Sequence, residues 1–167
     1  STKDRWSSSL DGELWLANGK GLPPKTLLKC ENTASKPKLD GTLDDGVWQD
    51  RQTVPIRSRL KDDEAWPTEV MLAHDNEFLY VAARCAIPSG VEYEVETQPR
   101  PRDPDLSHHD RIDVLIDIDR DFATYYRLTI DHRGWVGDAC WGDTTWDPQW
   151  FVAARSDRNE WVVEAAI

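Results

Sequence analysis

From residue 70 onward, apolar and polar positions alternate with a period of two. Val70 and Leu72, joined by His74, share one face, and Asp75-Asn76-Glu77 turns the chain into a second run over 78–85. Ile112, Val114, Ile116 and Ile118 alternate with Asp113, Leu115, Asp117 and Asp119; Tyr126, Leu128 and Ile130 alternate with Tyr125, Arg127 and Thr129. Asp131-His132-Arg133-Gly134 reads as a turn into a strand over 135–139. Asp157-Arg158-Asn159 reads as another, before Trp161, Val163, Ala165 and Ile167, which share a face. Side chains on a strand point alternately to its two faces, so these runs predict strands, each with one wet face. No stretch offers a long helical period. The one helical feature expected is a short turn after Asp44 and Asp45, which can cap it and carry Trp48 inward. The fold class predicted is all-β, an antiparallel β-sandwich of jelly-roll or immunoglobulin-like type.

The sandwich is assigned to residues 36–167. Residues 1–35, with scattered Gly, Pro, Ser and Asn and only Leu14-Trp15-Leu16 as a strand-like island, read as a linker or the tail of a preceding unit. Residues 86–110 form a long loop rich in Pro, Glu and Arg, a length usually tied to function or disorder. The run from Trp161 to Ile167 reads as a core strand still under way at the C-terminus, which suggests truncation there or a missing partner segment.

Composition narrows the function classes. A chain of 167 residues suits one domain with a sizeable core. The net charge of −11 argues against nucleic acid and anionic lipid, and suits a neutral or cationic partner or bound calcium. No apolar run approaches the ~20 residues that span a bilayer, and no signal peptide precedes the domain, as in a mature or excised module. Of three cysteines, Cys85 falls in an apolar strand pattern and reads as a core residue, while Cys30 and Cys140 lie in polar surroundings where a disulfide is one option. Nine tryptophans stand out; about half are expected in the core, the rest being available for stacking.

Several motifs carry a resemblance. Lys38-Leu39-Asp40-Gly41 with Asp44, Asp45 and Trp48 resembles the opening signature of family 9 carbohydrate-binding modules. The stretch from His74 to Ala82 resembles their central hairpin, the stretch from Asp110 to Asp117 the strand that carries an acidic ligand contact, and the stretch from Trp161 to Ile167 a late strand. The resemblance covers roughly residues 36–167, and much of the pattern is shared with the wider superfamily that includes haem-binding DOMON-type domains. It implies a non-catalytic sugar-binding sandwich, tethered to other domains of a larger secreted protein, extracellular or periplasmic, with structural calcium as an option.

A hairpin centred near Asp121 puts Asp113 opposite Thr129 and diagonal to Arg127 on the polar face. A carboxylate, a guanidinium and a hydroxyl together offer acceptors and donors to vicinal sugar hydroxyls; the alternative is an ordinary cross-strand ion pair. The resemblance implies an acid, an Arg and an amide at these places, and two clamping tryptophans, the first where this chain has Ser107, His108 and His109. Trp141, Trp146 and Trp150, in an irregular aromatic loop, are the substitutes expected, with loop anchoring as their alternative role. Asp117, Asp119 and Asp121 have the i, i+2, i+4 spacing of calcium ligands, although the Gly and Glu of an EF-hand are lacking. His108 and His109 point to opposite faces if extended, so neither makes a metal site with the other. The competing functions are a haem-binding electron-transfer domain using Met71 with a histidine, and a structural or protein-binding sandwich. Met71 should share a face with Glu69 and Ala73, opposite Val70 and Leu72, which makes it a poor haem ligand. No catalytic constellation is recognisable.

Overall fold

The computed structural model describes residues 5–24, 26–56, 64–93, 97, 99–102, 104–121 and 123–167. Two sheets pack face to face. The larger has six strands, β1 (Glu31–Asn32), β2 (Val54–Ile56), β3 (Thr68–His74), β4 (Leu79–Ala86), β8 (Phe151–Ser156) and β9 (Glu160–Ala166). Its order is β1-β3-β4-β9-β8, and β2 shares the outer edge of β3 with β1, where Pro55 needs no ladder partner on its far side. The smaller is β5 (Arg111–Ile116), β6 (Tyr126–Asp131) and β7 (Val136–Cys140). All pairings are antiparallel except β1 with β3, so the larger sheet is mixed. Ile112 and Ile130 of the small sheet meet Val81, Ala83, Cys85, Trp161, Val163 and Ala165 of the large one in a single core. The fold is a β-sandwich.

The large sheet is covered on its second face as well. Short helix α2 (Gly46–Gln49) drops Val47 and Trp48 onto Met71, Ala73, Tyr80, Ala82 and Ala166. The helical turn is the one expected, but Asp45 does not cap it through its side chain; its Oδ2 accepts the Lys38 N–H at 2.8 Å instead. Met71 is therefore buried, not on a wet face, because the second face of β3 has its own apolar cover. The seal is closed by Glu164, whose carboxylate accepts Trp48 Nε1 at 2.8 Å, Gly41 N at 2.9 Å and Asp40 N at 3.1 Å. Gly41 is obligatory here: its φ is +77°, and a Cβ would lie 2.7 Å from that of Arg155.

The N-terminal region departs from expectation. Helix α1 (Arg5–Asn18) takes in Leu14-Trp15-Leu16, the island read as strand-like. It ends at Gly19, with φ +61°, whose N–H reaches the Trp15 carbonyl at 2.7 Å, a left-handed C-terminal cap. Glu13 and Arg120 tie the helix to the β5–β6 turn. Residues 1–4 and 25, within the predicted linker, lie outside the described residues.

All three cysteines are free, so Cys30 and Cys140 form no disulfide; Cys85 is buried in the core as expected. Among the described residues Trp48 and Trp161 are the tryptophans buried in the core, with Trp150 packed partly against it. Among the described residues no helix is long and apolar enough to cross a membrane.

Candidate functional site

The outer face of the small sheet is built in rows. Asp113 pairs with Thr129 and Thr129 with Gly137; Leu115 pairs with Arg127 and Arg127 with Ala139. This is the register of a hairpin centred on residue 121. A further row extends past the strand ends, where the Trp141 N–H donates to the Tyr125 carbonyl at 3.0 Å. Successive rows on one face are about 6.7 Å apart, two residues of strand rise.

Within these rows the Thr129 hydroxyl donates to Asp113 Oδ1 at 2.6 Å. Arg111 Nε lies 3.6 Å from Asp113 Oδ2, a looser contact that leaves this oxygen approachable. Arg127 is exposed and has no hydrogen-bonding or ion-pair partner among the described residues. Asp113, Arg127 and Thr129 are thus brought together around one cavity. Thr129 is buried despite facing outward, because the segment before β5 folds back over the sheet. Leu106 packs above Gly137, where a Cβ would sit 3.7 Å from its Cδ1, and Arg111 Nη1 grips the Leu106 and Ser107 carbonyls at 3.0 and 2.9 Å. This strap is the near end of the long loop read between 86 and 110; residues 94–96, 98 and 103 of that loop lie outside the described residues.

Strap and sheet enclose a cavity of about 300 Å³ lined by Asp105, Ser107, Arg111, Asp113, Arg127 and Thr129, with Thr144 at its rim. That is the lower end of the range for small-ligand clefts. Its polar lining mixes both charges with hydroxyls. Asp105 is held below the usual carboxylate range by the Ser107 hydroxyl and backbone N–H, so it stays ionised at the strap's edge.

The three tryptophans of the 140s loop divide. Trp141, with φ 55°, is 71% exposed; its backbone N–H meets Tyr125 one row beyond Leu115–Arg127, and it does not line the cavity. Trp146 instead lies against the Tyr126 ring, centroids 5.0 Å apart, and Trp150 packs on the core with Nε1 donating to Asp138 Oδ2 at 3.3 Å. The last two anchor the loop. Leu115 and Tyr125 are also substantially exposed; sequence reasoning missed them, though the row count that found Asp113 also places Leu115 on this face.

The acidic run at the β5–β6 tip is not drawn together. Asp117 Oδ1 accepts the Arg120 N–H at 2.6 Å, and Asp121 accepts the Ala123 and Thr124 N–H groups, each at 2.7 Å. These carboxylates organise the turn. The group of donor atoms that does converge among the described residues is His109, Asp131 and His132, from the strap and the end of β6. The sequence offers His109 as a metal ligand alongside His108 and, with His132, as a haem partner for Met71, while Asp131 and His132 read as turn residues; their meeting is not foreseen.

No family model and no curated protein sequence matches the chain. Solved structures do. A family 9 carbohydrate-binding module from Caldicellulosiruptor kristjanssonii, in complex with cellotriose, superposes with a TM-score of 0.56 over 83% of this chain, at 15% identity. The same module in complex with glucose gives 0.56 over 82% at 16% identity. In both, this chain spans 66% of the length of the matched chain. At such identity the likeness is one of fold.

Proposed function

We propose that this family 9-type sandwich is a non-catalytic carbohydrate-binding module, that it takes sugar in the cavity of the small sheet, and that it serves as one unit of a larger secreted protein. The observation that carries the reading is the Arg127 guanidinium, without a partner among the described residues, beside the Asp113–Thr129 pair. Sugar hydroxyls come in vicinal pairs and are both donors and acceptors, so a carboxylate oxygen approachable at one side and a two-pronged donor at the other match them. The apolar C–H face of a pyranose suits an exposed indole, the role assigned to Trp141. The neighbours in fold were solved with glucose and cellotriose, which makes these the first ligands to try. A haem-binding reading is not favoured, since its one methionine, Met71, is packed under Trp48.

The test is isothermal titration of the protein with glucose, cellobiose and cellotriose, repeated with Arg127→Ala. Saturable binding that weakens by about tenfold in the variant, as for loss of a charged hydrogen bond, supports the reading. Binding of equal strength in Arg127→Ala removes this cavity as the site, and silence across a broad glycan panel removes the function.

A further inference from the structure

Behind the strap, and independent of any sugar, two imidazoles and a carboxylate meet. His109 is placed by the turn in which its N–H donates to the Leu106 carbonyl at 3.2 Å. His132 follows β6, its N–H donating to the Asp110 carbonyl at 3.0 Å, and its ring is held by Tyr93 stacked at 3.9 Å. Tyr93 is itself fixed by its hydroxyl on Asp110 Oδ2 at 2.6 Å. His132 is more than nine-tenths buried, yet its Nδ1 has no hydrogen-bond partner. A buried ring nitrogen left unsatisfied is costly and calls for an explanation.

We propose that His109, Asp131 and His132 form a binding site for a transition-metal ion of the zinc class. Imidazole nitrogen with one carboxylate suits Zn2+ or Cu2+ and not the hard, all-oxygen preference of Ca2+. The donor atoms lie within 4.8 Å of one another. Around a tetrahedral zinc with bonds of ~2.1 Å they would stand roughly 3.4 Å apart, so loading asks for closure by at most about 1.4 Å. Half-buried His109, on the strap, is the ligand free to supply that movement.

Asp131 shows how the site rests without an ion. Its Oδ1 accepts the Arg133 and Trp135 N–H groups, each at 2.9 Å, from the backbone of its own turn. Its Oδ2 is held by side-chain groups of Arg133, Nε at 2.8 Å and Nη2 at 2.6 Å. The backbone donors cannot leave, but the guanidinium can: it already lies 3.8 Å over the Trp135 ring, a second favourable place for a cation. Metal and Arg133 therefore compete for Oδ2. A bound ion would fasten the strap to the end of β6 and answer the orphaned His132 nitrogen.

The test uses the untagged full chain, stripped with chelator and titrated with ZnCl2 against a chromophoric competitor, with CaCl2 in parallel. Expected is one Zn2+ per chain and no Ca2+ at this site. His109→Gln, which leaves the core intact, should weaken Zn2+ by about tenfold or more, while His108→Gln and Cys30→Ser stay within about twofold. Arg133→Met should tighten binding by freeing Oδ2; if that variant does not fold, Arg133→Lys, which gives up the two-pronged grip, should tighten it less. Zn2+ uptake that is absent, that survives His109→Gln, or that weakens when Arg133 is replaced overturns the site.

Discussion

Glu164 and Asp113 are both strand carboxylates on the outer face of a sheet, and their circumstances are opposite. The large sheet's outer face is closed by its own chain: α2 and the segment before it supply apolar cover, and Glu164, fully buried, receives a tryptophan N–H and two backbone N–H groups. On the small sheet Asp113 takes one hydroxyl and a loose contact from Arg111, and Arg127 beside it has no partner among the described residues. Donors that a protein provides for itself make a seal, and donors that it withholds make a site. Burial carries this difference: it pushes the Glu164 carboxyl up, opposed by its hydrogen bonds to Trp48, Asp40 and Gly41.

The sharpest way to break the comparison is to open the seal. Glu164→Ala orphans three donors, two of them donated into the buried side of the sheet, and each such group costs about 1–3 kcal/mol. A loss of at least ~3 kcal/mol in urea denaturation is expected. Glu164→Gln keeps an acceptor and should lose less. It also exposes the sign of the titration. A carboxyl whose folded pKa is raised stabilises most below its unfolded pKa and loses that contribution as pH rises through the folded value. The stability difference, wild type minus Glu164→Gln, should therefore fall from pH 4 to pH 7; a rise would mean the carboxylate is better solvated by its three donors than by water.

The second prediction works on the open face. Arg127→Ala should leave the melting temperature within about 1 °C, since an exposed side chain without partners carries little stability. Its effect should fall instead on sugar affinity, by the loss of a charged hydrogen bond worth about 1.5–3 kcal/mol. If stability falls and affinity does not, the two faces are alike after all and Arg127 is structural. A smaller loss follows at Trp141. Its indole is exposed and supports no core, so Trp141→Ala should cost about 0.5–1.5 kcal/mol of binding, with folding unchanged.

What the sequence disclosed follows the same division. The β5–β6 register was legible because a hairpin's pairs sum to a constant: once the turn is placed at 121, Asp113 must meet Thr129 and Leu115 must meet Arg127. The cover of the large sheet was not, because Met71 and Ala73 share their face with the charged Glu69, so that face reads as wet until α2 is seen above it. Helix α1 was hidden by Gly12 and the serines of its first turns, which lower helix propensity by up to about 1 kcal/mol each. The strap over Gly137 and the meeting of His109 with His132 depend on a loop folding back, and nothing in local periodicity encodes that. One signal was available: Asp131 continues the alternation of Arg127 and Thr129, which puts it on the outer face rather than in a solvated turn.

The smallest effect expected is that of calcium on the β5–β6 tip, and it tests the same rule where both answers are open by sequence. Ca2+ requires six to eight oxygens. At the tip, Asp121 gives Oδ1 to two backbone N–H groups and Oδ2 to the Thr124 hydroxyl at 2.9 Å, and Asp117 gives Oδ1 to Arg120 N. Apart from the Thr124 hydroxyl, these donors belong to the turn's own backbone, so they are not displaced as a side chain would be, and the carboxylates resemble Glu164 more than Asp113. A calcium site of the affinity usual in extracellular modules, with Kd near 0.1–1 mM, would add roughly 1–2 kcal/mol at 5 mM Ca2+ and raise the melting temperature by several degrees. The expected shift is below about 1 °C, read by differential scanning calorimetry with and without chelator. A rise of several degrees that Asp119→Asn abolishes would show that carboxylates engaged by backbone can still be recruited, and the line drawn between sealed and open acids would have to move.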